Sequence, residues 1–257
     1  MSSPQESGTV LATFSVSQVR ARLVGSSSPV LVETEAGRFV AKLRGAAQGV
    51  PALIAEIVVA EIAVVLGLPV PERSLLCLSK DTPTLDKNDE LSQLLEFSVG
   101  VNLGLRYLDG ALPPRPKQLE ALDDDFVARV LWLDGLTQNP DRTSRNPNLL
   151  LWHGRPWLID HGAALTFQYT WAYLTEQSPR EPTDFSTHVF GMRAALLTRY
   201  DAEFAARVDA KALTRALDAV PDSFLVDAAP GTTPEYSRRL YHAFLWKRLK
   251  APRPFIP

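Results

Sequence analysis

The residues best suited to chemistry lie between Leu133 and Leu165, in L-D-G-L-T-Q-N-P-D-R-T-S-R-N-P-N-L-L-L-W-H-G-R-P-W-L-I-D-H-G-A-A-L. Asp141 and Asn146 are five apart in a polar loop, and Asp160 opens a second polar segment, D-H-G. Two short apolar runs, Leu149–Trp152 and Pro156–Ile159, separate them around a His153-Gly154 turn. A hairpin there brings both polar segments to one end. Three oxygen-bearing side chains in one small volume suit Mg²⁺ on a nucleotide, because Mg²⁺ takes one or two carboxylates together with phosphate oxygens.

Taken singly, each of these residues is an ordinary turn former, since Asn and Asp favour turns for local reasons. Their order along the chain gives them more weight. D-x-x-x-x-N, a short hairpin and then D-x-G resembles the catalytic and metal-binding loops of the protein-kinase-like fold. The form N-P-D-R-T-S-R-N-P-N-L-L resembles the HipA-like kinases in particular. The resemblance implies Asp141 as catalytic base, with Asn146 and Asp160 as metal ligands. Asn148, directly before the strand, rivals Asn146. Asn139-Pro140 stands where the commoner motif has His-Arg, and His161 where it has Phe. Arg142 suits either phosphate binding or a local pair.

The elements that would position a nucleotide come earlier. Val30–Glu35 and Arg38–Leu43 read as paired strands about an Ala36-Gly37 turn. Alternation puts Phe39, Ala41 and Leu43 on a core face, and Val40 and Lys42 on the other. Pro51–Gly67 reads as a buried helix ended by Gly67 and Pro69. Glu56 within it needs a cation if buried. The resemblance, through A-K-L-R-G-x-x-Q-G followed by L-I-A-E, implies that Lys42 contacts the nucleotide phosphates and pairs with Glu56. Glu61 is the rival, and the two carboxylates point about 140° apart, so both cannot face one lysine. Gly25, Ser26, Ser27 and Ser28 form a small-residue loop one hairpin before Lys42. The resemblance makes it a phosphate-covering loop, although its composition also fits a solvated connection.

The remaining elements are framed by bulk properties. At 257 residues the chain is near the upper size for one core. A net charge of −2 gives no general attraction to nucleic acid or membrane. The lone Cys77 fits a reducing, cytoplasmic setting. Met1–Gly8 has neither the basic start nor the apolar core of a signal peptide. The four histidines lack zinc-ligand spacing, and no G-x-S-x-G nucleophile motif is present. Pro71–Ser79 reads as a strand, Lys80–Glu90 and Asn102–Pro116 as loops, and Leu91–Gly100 as a lobe connection. Asp123–Asp125 opens a helix whose Phe126, Val127, Val130, Leu131 and Leu133 face a core. Asp201–Ala219 and Thr233–Lys250 read as single helices. The second has Tyr236, Leu240, Tyr241, Phe244 and Leu245 inward and a solvated basic face of Arg238, Arg239, Lys247 and Arg248.

The expected fold is therefore α+β, bilobal and protein-kinase-like. A flexible N-terminus covers 1–8, a β-rich N-lobe with one main helix 9–96, a mainly helical C-lobe 97–250, and a Pro-rich trailing end 251–257. The expected activity is ATP- and Mg²⁺-dependent transfer of a phosphoryl group to a hydroxyl, and the resemblance makes a protein Ser/Thr the acceptor. A catalytically inactive nucleotide-binding module and a small-molecule kinase are the alternatives. The sequence is silent on oligomeric state.

Overall fold

The computed structural model describes residues 10–23, 25, 28–86, 88–229 and 231–257. The expected phosphate-loop residues Ser26 and Ser27, and residues 1–8, lie outside that set. The chain forms two compact bodies. The described residues of 10–53 and 71–110 form one, and those of 54–70 and 111–257 form the other.

In the first body lie β1 (Thr13–Ser15), β2 (Gln18–Arg22), β3 (Val30–Thr34) and β4 (Gly37–Lys42). Helix α1 (Gly49–Val65) follows, and its residues from Ile54 belong to the second body. Then come β5 (Arg73–Leu78), α2 (Asp89–Phe97) and β6 (Gly100–Arg106). The six strands make one sheet in the order β1-β5-β6-β4-β3-β2. Only β1 and β5 pair parallel; the other neighbours are antiparallel. Val30 opposes Ala41 and Val32 opposes Phe39, so four apolar side chains share the buried face. With Leu43, Leu76, Leu78 and Leu91 they form the core of this body. Alternation predicted the inward set Phe39, Ala41 and Leu43 correctly.

Several local expectations require correction. The β3–β4 turn is Glu35-Ala36, one residue earlier than read, because Gly37 pairs with Thr34 at φ +106°. That φ suits glycine. Residues 100–106, read partly as loop, are strand β6, hydrogen-bonded on both edges. Leu91 to Phe97 belongs to helix α2, whose N-cap Asn88 accepts a hydrogen bond from Leu91 N–H at 3.2 Å. Asp89 and Glu90 favour its first turn.

The second body continues with α3 (Pro116–Glu120), α4 (Asp124–Thr137), the hairpin β7 (Leu149–Trp152) and β8 (Arg155–Leu158), and then α5 (Leu196–Arg207), α6 (Ala210–Asp218), α7 (Asp222–Ala228) and α8 (Pro234–Leu249). Asp123 caps α4 by accepting from Phe126 N–H at 2.8 Å. Eleven of its fourteen residues are buried, so its apolar residues cover more than one stripe. The region read as one helix from Asp201 breaks at Val208, and Asp209 caps α6 by accepting from Ala212 N–H at 2.7 Å.

Helix α8 departs further from expectation. Tyr236 is exposed, while Arg248, assigned to the solvated face, is fully buried. Its guanidinium donates to the Gly135 carbonyl from Nε (3.0 Å) and Nη2 (2.9 Å), and to the carbonyls of Pro179 and Glu181. Burial draws its pKa down to about 10, which leaves it protonated at neutral pH. The segment 251–257, read as trailing, is seated: Phe255 is buried and meets Trp132 edge-on at 5.5 Å. Gly135 has no room for a side chain, since a Cβ there would lie 2.9 Å from Phe255 Cβ. Among the described residues, no helix is long and apolar enough to cross a membrane.

Candidate active site

Four expected site residues lie in the second body, and the hairpin organises them. His153 and Gly154 both adopt positive φ, 47° and 73°, as a two-residue primed turn requires. Leu149 opposes Leu158, and Ile159 N–H donates to the Asn148 carbonyl at 3.0 Å. The register therefore carries Asp160 out of β8 beside the loop of Asn146 and Asn148. Asp160 itself is left-handed, φ 56°. Such a backbone in a non-glycine residue stores strain that its surroundings must hold, a pattern common at functional sites.

Asp141 is gripped from two sides. Asn146 Nδ2 donates to its Oδ2 at 2.9 Å and Asn148 Nδ2 donates to the same oxygen at 3.0 Å. Both rival asparagines thus reach one carboxylate. Asn148 is buried with φ 49°, and Asn146 is exposed. Asn139 Oδ1 accepts from the Asp141 backbone N–H at 3.1 Å, fixing the loop entry.

Glu56 and His161 meet from distant parts of the sequence. His161 N–H donates to Glu56 Oε2 at 2.9 Å across 105 residues, and both residues are buried. The carboxylate of α1 thereby holds the backbone immediately after Asp160. Glu61 is buried as well.

The loop rests on Asp134, a residue overlooked in the sequence. Asp134 is completely buried near the end of α4. Arg142 Nε donates to its Oδ2 at 2.6 Å, Asn139 Nδ2 to its Oδ1 at 2.9 Å, and His188 Nε2 lies 3.0 Å from Oδ2. His188 Nδ1 accepts from Phe190 N–H at 3.0 Å, so the ring proton sits on Nε2 and points at Asp134. Arg142 also donates to the Asn148 carbonyl at 2.7 Å, and its Nη2 lies 3.3 Å from His161 Nδ1. Of its two readings, Arg142 adopts the local pair. Burial alone would raise the Asp134 pKa; the Arg142 guanidinium and the His188 hydrogen bond outweigh it and hold the carboxyl well below the usual range. A carboxylate inside the apolar run V-A-R-V-L-W-L-D was the available signal, because a buried charge requires a partner. Nothing in the spacing pointed to His188.

The first body holds the other described candidates, Lys42, Gly25 and Ser28. Lys42 ends β4 and is buried, 7% exposed. The backbone after it is fastened by neutral groups: Asn102 Oδ1 accepts from Arg44 N–H at 2.8 Å, and Ser98 Oγ accepts from Gly45 N–H at 3.1 Å. Gly45 is needed there, since a Cβ would lie 2.7 Å from Ser98 Oγ and 2.9 Å from the Phe97 backbone. Gly25 is exposed, and its carbonyl accepts from Ser28 N–H at 3.1 Å. Ser28 Oγ accepts from Arg22 Nη2 at 3.0 Å.

The oxygen donors fit a hard cation. Asp141, Asp160 and the asparagine amides offer carboxylate and carbonyl oxygens without the soft ligands other metals prefer. Among the described residues no group of three or more His, Cys, Asp or Glu could hold a metal, a sparse set compatible with Mg²⁺ when phosphates supply further oxygens.

A six-stranded N-terminal sheet, a mainly helical remainder and the D-x-x-x-x-N, hairpin, D-x-G sequence define the α+β protein-kinase-like fold. The crystal structure of the Helicobacter pylori proinflammatory kinase CtkA is similar: the TM-score is 0.57 at 13% identity, over 96% of this chain and 95% of that one. At that identity the likeness is one of fold. No curated protein matches the chain. The model of the HipA-like kinase family matches residues 16–238, so the chain belongs to the HipA-like kinase family. Membership supports a kinase-like phosphotransferase.

Proposed function

We propose that the chain transfers the γ-phosphoryl group of Mg-ATP to a protein Ser or Thr hydroxyl in the cytoplasm. The observation that carries this reading is the fixed Asp141 carboxylate, held through one oxygen by two asparagines in a loop anchored on Asp134. Asp141 orients the acceptor hydroxyl and takes its proton as the oxygen attacks the γ-phosphorus. The new O–P bond forms while the bond to the β,γ-bridging oxygen breaks, and ADP leaves. Asp160 and Asn146 hold Mg²⁺, which offsets phosphate charge when bound; Asn148 is the alternative amide. Lys42, on family grounds, steadies the phosphates, as do Gly25 and Ser26–Ser28. Glu56 supports Asp160 through the His161 backbone bond, and on family grounds also partners Lys42. Such chemistry depends mainly on positioning and charge neutralisation.

Asp141→Asn keeps the shape of the side chain but removes the base. It should lower phosphoryl transfer by ~10²–10⁴-fold with nucleotide affinity nearly unchanged. Asp160→Ala should instead weaken Mg-ATP binding, measured by titration calorimetry. Wild-type labelling rates in Asp141→Asn would remove Asp141 from the reaction. Binding without turnover or self-labelling in wild type, against a broad peptide set, would favour the inactive module.

A further inference from the structure

The Asp141–Asn146 loop carries two arginines with opposite fates. Arg142 turns inward and is fully buried on Asp134. Arg145 is exposed, and it makes no hydrogen bond, ion pair or ring contact with any described residue. Its backbone is nevertheless held firmly. Thr143 N–H donates to the Asn146 carbonyl at 3.0 Å, and Asn146 N–H donates back to the Thr143 carbonyl at 3.2 Å. Thr143 Oγ1 also accepts from Asn146 N–H at 3.2 Å. Ser144 and Arg145 are thus the two-residue tip of a closed turn. The base of that turn bonds Asp141 twice: Asn146 Nδ2 reaches its carboxylate, and Thr143 N–H its carbonyl at 3.0 Å.

A cation displayed on a rigid turn beside the proposed base is placed to meet whatever approaches that base. We infer that Arg145 reads an anionic side chain, a carboxylate or a phosphoryl group, on the acceptor peptide near the hydroxyl that is phosphorylated. This rests on the phosphotransferase reading above. An extended peptide advances about 3.3 Å per residue, so a hydroxyl at Asp141 brings only the few residues flanking it past the tip. Guanidinium matches both anions through parallel N–H donors, and it binds phosphoryl groups more strongly than single carboxylates. Arg142 cannot take this role, because its donors are already committed to Asp134, Asn148 and His161. The rival source of an anion is the nucleotide, and kinetics separates the two.

The test uses the full chain with Mg-ATP and a degenerate Ser/Thr peptide library, fixing Glu, phosphoserine, Ala or Lys at one flanking position at a time. Wild type should favour Glu over Ala at one position by roughly two- to fivefold, the range of an exposed ion pair, and phosphoserine by more. Arg145→Ala should bring those ratios to about one, and Arg145→Glu should turn the preference toward Lys. An unchanged preference in Arg145→Ala overturns the inference. So does a loss confined to KM for ATP with the peptide ratios intact, which would assign Arg145 to the nucleotide. If wild type labels neither itself nor any peptide and matches Asp141→Asn, the phosphotransferase reading fails, and this inference falls with it. Peptide-blind labelling by an active wild type would remove the Arg145 inference alone.

Discussion

The two bodies fasten their site-bearing loops by different chemistry. After Lys42, the first body uses a buried amide and a hydroxyl, Asn102 and Ser98, against backbone N–H groups. Around Asp141, the second body uses a buried carboxylate with an arginine and a histidine. Neutral bonds cost little to bury and contribute about 1 kcal/mol each. A buried ion pair is expensive to desolvate, and its strength shows mainly when one partner is lost. The charged arrangement draws Asn139, Arg142 and His188 onto one carboxylate, so the loop and the 188–190 segment share one anchor. The neutral arrangement joins the segment after β4 to the α2–β6 connection, since Asn102 Nδ2 also donates to the Ser98 and Gly100 carbonyls.

The strongest way to break that contrast is Asp134→Ala. It leaves the Arg142 charge buried without its carboxylate and should cost about 3–5 kcal/mol of stability, read by denaturant unfolding. A cost below 1 kcal/mol would mean that water or a rearranged loop replaces the carboxylate. Asn102→Ala should cost less, about 1–3 kcal/mol, because it strands the part-buried Arg44 N–H and removes the donor to two carbonyls. The smallest effect sharpens the comparison through pH. The Asp134 pKa is depressed on folding, so its contribution is complete above the ordinary carboxylate value of about 4. It is lost as pH falls below that value toward the folded pKa. The stability difference between wild type and Asp134→Ala should therefore shrink as pH falls below about 4. The difference for Asn102→Ala should not follow that acid loss.

The same contrast bears on what could be read from the sequence. The β3–β4 and β7–β8 hairpins and buried α1 and α4 were legible because local periodicity and turn residues encode them; the set Lys42, Glu56, Asp141, Asn146 and Asp160 was singled out by resemblance to a family, not by periodicity. Helix α2 was legible in principle: Asn88-Asp89-Glu90 is an N-cap followed by acids, but the polar residues before it suggested a longer loop. Arg248 was not, because an arginine near other basic residues looks solvated until distant carbonyls are known to surround it. Asp134 lies between these cases. Its sequence shows that it needs a partner, yet Arg142 and His188 become its partners only through tertiary structure.

The seat of Arg248 has a temporal consequence during synthesis. The Gly135 carbonyl receives its two guanidinium bonds from a residue 113 positions further along the chain. At roughly 5–20 residues per second, ribosomal elongation leaves α4 without that cover for about 6–23 s. Throughout that interval the Gly135 carbonyl, at the end of the helix that bears Asp134, lacks both of its guanidinium donors.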